Sequence, residues 1–307
     1  MEQTKKTNEP APQYWLQISL PGKPAEQVEE ALWAAGALAV TLRDAADQPL
    51  LEPLPGATPL WDSVIVTGLF DSQQPAEPVL DELKRLLPRA ITEQASTELL
   101  EDRAWVRAWM EHFKPLRCGE RLWVCPSHQS VREKDAVVIE LDPGLAFGTG
   151  SHPTTALCLR WLDQTDVKGK TVIDYGCGSG ILAVAAALLG AKQVWAIDID
   201  PQALDATQAN AKRNGVSEII QCGLPQDLPK DPQDHSADIV IANILAGPLI
   251  QLAPEILAHL RKPGELVLAG LLSEQSQEVC AAYAQHIALQ TIFVEQDWAL
   301  LAGNLKA

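Results

Sequence analysis

The sequence predicts an α/β protein in two domains: a doubly wound parallel sheet in the C-terminal half, with a smaller α+β domain ahead of it. Two observations carry this. From Lys170 onward, apolar strand-like runs alternate with helical segments, as in a parallel sheet covered by helices on both faces. Before residue 100 the hydrophobic period switches between two and 3.6 in the order βαββαβ. That order is the split βαβ arrangement of ferredoxin-like domains.

In the N-terminal domain, residues 1–100, Tyr14–Leu20 forms a strand closed by Pro21-Gly22. Pro24–Ala35 is a helix with Val28, Leu32 and Trp33 on one face and Gly36 as its stop. Ala37–Leu42 and Ser63–Phe70 are strands, separated by a loop with Pro53, Pro55 and Pro59. Glu77–Leu87 is the second helix, and Ala90–Leu99 is expected as the fourth strand. Residues 101–140 connect the domains. They hold an amphipathic helix, Glu101–Phe113, with Trp105 and Trp109 one turn apart, then strands Arg121–Cys125 and Ala136–Leu141.

Residues 141–307 form the larger domain. Its strands are Thr171–Asp174, Gln193–Asp198, Glu218–Cys222, Asp238–Ala242, Glu265–Gly270, Ala288–Val294 and Trp298–Ala302. Gly180–Leu189, Pro201–Asn214 and Ala246–His259 are helices between them. Only a short hairpin joins the last two strands, so the final one inserts antiparallel.

Composition narrows the function classes. Hydrophobic residues make up 47% of the 307-residue chain and charged residues 21%, which excludes a disordered or fibrous protein. No run reaches the roughly 18 apolar residues of a membrane span, and Met1–Pro10 lacks the apolar core of a signal peptide. A cytoplasmic location without membrane contact is expected. The net charge of −16, from 24 basic and 40 acidic residues, leaves no basic module for nucleic-acid backbones and favours a basic partner. The six cysteines include no Cys-x-x-Cys pair, so neither a metal site nor a disulfide framework is expected.

The strongest chemical signal is Val172-Ile173-Asp174-Tyr175-Gly176-Cys177-Gly178-Ser179-Gly180, a strand entering a helix through a Gly-rich turn. Glycines let the backbone turn tightly against a ligand. The next strand ends at Asp198, 22 residues after Gly176, where a carboxylate can take both hydroxyls of a ribose. Together they point to a nucleoside-containing cofactor. The spacing Asp174-x-Gly-x-Gly-x-Gly differs from the dinucleotide fingerprint and resembles the first motif of class I S-adenosylmethionine methyltransferases.

Two further segments suit amine chemistry. Leu141–Thr155 is dense in Gly, Pro and hydroxyl residues, suiting a cover over a ligand. Its Phe147 ring could meet a sulfonium or an amine by cation–π attraction. His152 fits a loop position better than a catalytic base. Asn243, ending the strand Asp238–Ala242, offers a neutral carbonyl that accepts an N–H and aims the lone pair without trapping a cation. The competing reading of Asn243 is a helix cap.

Over nearly its whole length the chain resembles the bacterial ribosomal protein L-eleven methyltransferases, through Asp142–Thr155, Asp174–Gly180, Asp198-Ile199-Asp200-Pro201 and Asn243–Leu249. The resemblance implies an N-terminal ferredoxin-like substrate-recognition domain, a linker helix and a class I catalytic domain. It also implies S-adenosylmethionine as cofactor, and methylation of lysine side chains and the N-terminal amine of a large-subunit ribosomal protein. It would make Thr155, Gly176, Asp198 and Asn243 cofactor-binding positions. Asp174 and Gly178 belong to the same turn, while Phe147, Thr149 and Asn243 would frame the amine. Ser151 and Ala269 stand where the family commonly carries Thr and Ser. A monomer without nucleic-acid readout is expected. The rivals are an RNA or DNA amino methyltransferase and an inactive ribosome-binding module.

Overall fold

The computed structural model describes residues 14–46, 48, 59–71, 74–101, 114–142, 150, 152–228 and 237–305. The chain forms two compact units, Met1–Ala108 and Trp109–Ala307. The expected linker helix, with Trp105 and Trp109, falls on residues 102–113, outside the described residues.

The first unit runs β1 (Tyr14–Pro21), α1 (Ala25–Ala34), β2 (Ala39–Asp44), β3 (Val64–Asp71), α2 (Ala76–Leu86), α3 (Arg89–Thr92) and β4 (Ser96–Glu101). The strands pair antiparallel in the order β2-β3-β1-β4, the ferredoxin-like arrangement. Period-two alternation puts Leu16, Ile18 and Leu20 of β1 on one face with Val64, Val66 and Phe70 of β3. Val28 and Leu32 of α1 and Val79 and Leu83 of α2 close over them. The expected strand Ala90–Leu99 begins instead with the helical turn α3. The carbonyl of Pro88 accepts from the N–H groups of Ile91 and Thr92, and the strand starts only at Ser96.

The second unit opens with a small sheet of β5 (Leu116–Arg117), β6 (Leu122–Cys125) and β7 (Val137–Glu140) in that order. Then follow α4 (Pro153–Gln164), β8 (Thr171–Tyr175), α5 (Ile181–Leu188), β9 (Gln193–Ile197), α6 (Pro201–Arg213), β10 (Ile220–Gly223) and β11 (Ala237–Asn243). The unit ends with α7 (Ala246–Gln251), α8 (Ala253–Ala258), β12 (Leu260–Leu272), α9 (Ser276–Tyr283), β13 (Gln290–Glu295) and β14 (Trp298–Leu305). The large sheet has the order β10-β9-β8-β11-β12-β14-β13; β14 runs antiparallel to both its neighbours, β12 and β13, and the other neighbouring pairs are parallel.

Both faces of this sheet are buried. Val172, Ile239 and Ile241 pack into one layer; Ile173, Val240 and Ala242 pack into the other. Helix α5 carries seven buried residues among its eight, Ile181 to Ala187, because it lies inside the first layer. The segment Ala246–His259, expected as one helix, is broken between α7 and α8. Leu252 caps both, and Pro254, lacking an N–H, cannot continue the ladder of α7. Strand order reverses at β8, which pairs β9 on one side and β11 on the other, so the crevice at their C-terminal ends is where ligands bind in such sheets.

Candidate active site

Gly176, Gly178 and Gly180 sit at φ of +81°, +54° and +74°, a region that side chains other than glycine's disfavour. The N–H groups of Gly176 and Cys177 both donate to the carbonyl of Ile197, at 2.7 and 2.9 Å, folding the turn back onto β9. A Cβ on Gly180 would overlap the side chain of Thr207.

Asp174 lies inside, 1% exposed. Its Oδ2 accepts from the Ala183 N–H at 3.0 Å, while Oδ1 is buried without a hydrogen-bond partner. Burial pushes this carboxyl up to about 7, against the Ala183 N–H, and the charge of Asp198 pushes the same way as burial. Asp198 follows β9, as expected. Its Oδ2 accepts from the Gly178 N–H at 2.9 Å and its Oδ1 from the Asp200 N–H at 3.0 Å, holding the carboxylate beside the glycine turn. Asp200 caps α6 through the Gln202 N–H, with Pro201 in the first turn.

Asn243 ends β11, and its Nδ2 donates to Oγ1 of Thr155 at 3.4 Å. Thr155 is buried in the first turn of α4. The capping alternative for Asn243 does not apply, because Leu245 is the residue at the start of α7. His152, expected in a loop, caps α4: its Nδ1 accepts from the Thr154 N–H at 3.3 Å, and its ring meets Trp298 edge-on at 4.9 Å. Burial lowers its pKa. The structure therefore brings Asp174, Gly176, Gly178 and Asp198 together around one turn, and Asn243 with Thr155. Phe147 and Thr149 lie outside the described residues. Cys177 is buried beside Thr207, 3.4 Å from its Oγ1, and burial raises its thiol pKa. Among the described residues no cluster of three or more His, Cys, Asp or Glu could hold a metal, and no helix is long and apolar enough to cross a membrane.

One feature escaped the sequence reading. Thr207, Asn210 and Asn214 follow the i, i+3, i+7 spacing of one helical stripe on α6 and its C-cap. Thr207 donates to the carbonyl of Gly178 at 3.1 Å, and Asn210 to that of Ser179 at 2.8 Å. Asn214 accepts from the N–H of Glu140 and donates to its carbonyl, both at 2.8 Å. One helix thus ties the glycine turn to the end of β7. Nearby Asp142 accepts from the Ser127 N–H at 2.8 Å. Burial opposes ionisation there, but this bond and the charge of Arg213 hold its pKa low. A polar stripe where an apolar one was due is the signal that could have found these residues.

Residues 14–306 match the family described as ribosomal protein L11 methyltransferase (PrmA). The chain belongs to that family. A relative so named from Actinobacillus pleuropneumoniae is 48% identical over 296 residues, 95% of this chain and 99% of that protein. Another, from Klebsiella pneumoniae, is 49% identical over 294 residues, 94% and 99% of the two chains. A crystal structure of the ribosomal protein L11 methylase of Lactobacillus delbrueckii subsp. bulgaricus is 34% identical with a TM-score of 0.56, covering 64% of this chain and all of that one. Within this methyltransferase family frame, the glycine turn, Asp198 and Asn243 stand along one edge of the sheet.

Proposed function

We propose that the enzyme transfers methyl groups from S-adenosylmethionine to amines of ribosomal protein L11, the lysine side chains and the N-terminal amine. The observation that carries this is Asn243, a neutral amide at the end of β11, with its Nδ2 engaged by Thr155 and its carbonyl left to accept an N–H.

The residues around the turn fit the cofactor. The unpartnered, buried Oδ1 of Asp174 calls for a cationic hydrogen-bond donor, and the α-ammonium of S-adenosylmethionine is one. When bound, S-adenosylmethionine supplies a methyl already activated by its sulfonium. Asp198 would hold the ribose hydroxyls, and Asp174 with Gly176 and Gly178 the amino-acid end. The Asn243 carbonyl orients the amine lone pair; alignment, rather than a strong base, is what a displacement of this kind needs. Phe147 and Thr149 complete the proposed frame around the amine. Desolvation there lowers the amine pKa and helps it shed its proton.

The substrate-recognition task falls to the first unit, which carries no Gly-rich turn. A basic ribosomal protein suits a chain of net charge −16, whereas tight RNA backbone binding does not. We read the enzyme as a cytoplasmic monomer. Radiolabelled methyl transfer to ribosomal proteins against RNA, both from cells lacking the enzyme, tests the reading. Label is expected in L11, and label confined to RNA would overturn it.

A further inference from the structure

Ile244 sits where three strand ends meet. It follows Asn243 off β11, and in register Ala242 faces Tyr175 of β8 while Asn243 faces Ala269 of β12. The next residue on each flank is therefore a glycine, Gly176 or Gly270, at φ of +81° and +85°. Among the described residues, a Cβ on Gly176 would meet only the Ile244 side chain, overlapping its Cγ2. A Cβ on Gly270 would overlap the backbone of Ile244 instead. The β12–β14 register breaks around Gly270, between Leu268 and Leu271. No side-chain hydrogen bond caps the following helix at Leu245.

We propose that Ile244 is a positioning residue for methyl transfer: wedged between Gly176 and Gly270, it sets where the Asn243 amide stands relative to the glycine turn. This rests on the reading of Asn243 as the group that orients the amine. A β-branched side chain has few χ1 states, so its Cγ2 makes a firm stop above Gly176. The bare backbone of Gly270 lets the main chain of Ile244 settle from the other side. Thr155 holds the Asn243 amide through its Nδ2, and the seat of Ile244 fixes the main chain that carries it.

The test uses the full-length enzyme with three measurements: kcat and KM for L11, the Kd for S-adenosylhomocysteine by calorimetry, and Tm. Ile244→Val keeps Cγ2 and should keep kcat within about twofold; Ile244→Leu keeps volume but moves the branch, and should lower kcat about tenfold with Kd within about threefold. Full kcat in the Leu variant, or a Kd loss matching its kcat loss, would overturn the proposal. The second arm compares Gly176→Ala in the wild-type and Ile244→Ala backgrounds. Its loss of S-adenosylhomocysteine affinity should be smaller where Ile244 is truncated, and equal losses would show that no wedge exists. If Ile244→Ala does not fold, the Val and Leu pair decides. Asn243→Ala with undiminished kcat would sink the reading of Asn243 itself, an outcome separate from the Gly176–Ile244 coupling.

Discussion

Asp198 accepts a hydrogen bond from the backbone N–H of Gly178 at 2.9 Å, so the acid proposed for the ribose also holds the shape of the glycine turn. Its other oxygen accepts from Asp200, the cap of α6. Asp198→Ala therefore removes ribose contacts and a turn anchor together. We expect S-adenosylhomocysteine binding to weaken by about 2–4 kcal/mol, since hydrogen bonds to charged groups contribute about 1.5–3 kcal/mol each. Calorimetry checks this, and unchanged affinity would remove Asp198 from the cofactor site.

Asn243→Ala should lower kcat more than cofactor affinity if, as proposed, its carbonyl orients the amine. A double-mutant cycle with Thr155→Val tests the 3.4 Å contact: if Thr155 orients the amide, the two losses in kcat will fall short of additive. Equal proportional losses in kcat and affinity would make Asn243 a plain cofactor contact.

Asp174 gives a pH signature. Its folded pKa, about 7, stands above the unfolded value of 3.8, so the native state binds the extra proton. The stabilisation from that proton is fully present below pH 3.8 and is lost as pH rises through about 7. An ammonium brought against the carboxylate reverses the balance and expels the proton. S-adenosylhomocysteine should bind more tightly at pH 8 than at pH 6, with proton release visible as a buffer-dependent binding enthalpy. Asp174→Asn should abolish that dependence; a wild-type enthalpy identical across buffers at pH 6.5 would contradict it.

Asp163 is a structural counterpart on α4. Its buried carboxylate accepts from the N–H groups of Glu120 and Arg121 and pairs with the Arg121 guanidinium at 3.3 Å. A Cβ on Gly119 would strike it. Asp163→Ala leaves two backbone donors unsatisfied, and we expect a loss of about 2–4 kcal/mol in unfolding free energy. Denaturant melts of the whole chain measure it; a loss below about 0.5 kcal/mol would place the carboxylate among ordinary surface groups.

Substrate recognition is testable by truncation. A chain beginning near Leu100 should still bind S-adenosylmethionine yet lose methylation of intact L11, because remote binding energy would no longer position the flexible lysine. Methylation at the full-length rate would place recognition in the second unit.

The alternation of strands and helices, the antiparallel β14 and the Asp174–Gly180 turn were all legible because each is a local pattern. What escaped was non-local or ambiguous. Helix α4 hid behind Ser151-His152-Pro153-Thr154-Thr155, a run that resembles a loop, although Pro153 is well suited to a first helical turn. The break at Leu252 looked like continuous helix because its apolar period runs on through Pro254. The contacts of Thr207, Asn210 and Asn214, and the seat of Ile244 between two glycines, join residues far apart in the chain, 74 positions for Glu140 and Asn214, and no window of sequence displays them. Phe147 and Thr149 remain proposals from sequence.

Helix α5 presents nothing but apolar surface, seven of its eight residues being buried directly behind the glycine turn. Such a helix leaves little room for drift, since a polar exchange strands a group in the core and a larger one overfills it. Its composition of Ile, Leu, Val and Ala is close to a fixed requirement of the architecture. Innovation at this site, by natural divergence or in a directed library, must therefore come from the rim: the exposed Ile199 after Asp198, the exposed Leu245 after Ile244, and the loops that end the strands. The wall behind the cofactor is inherited, and the chemistry in front of it is negotiable.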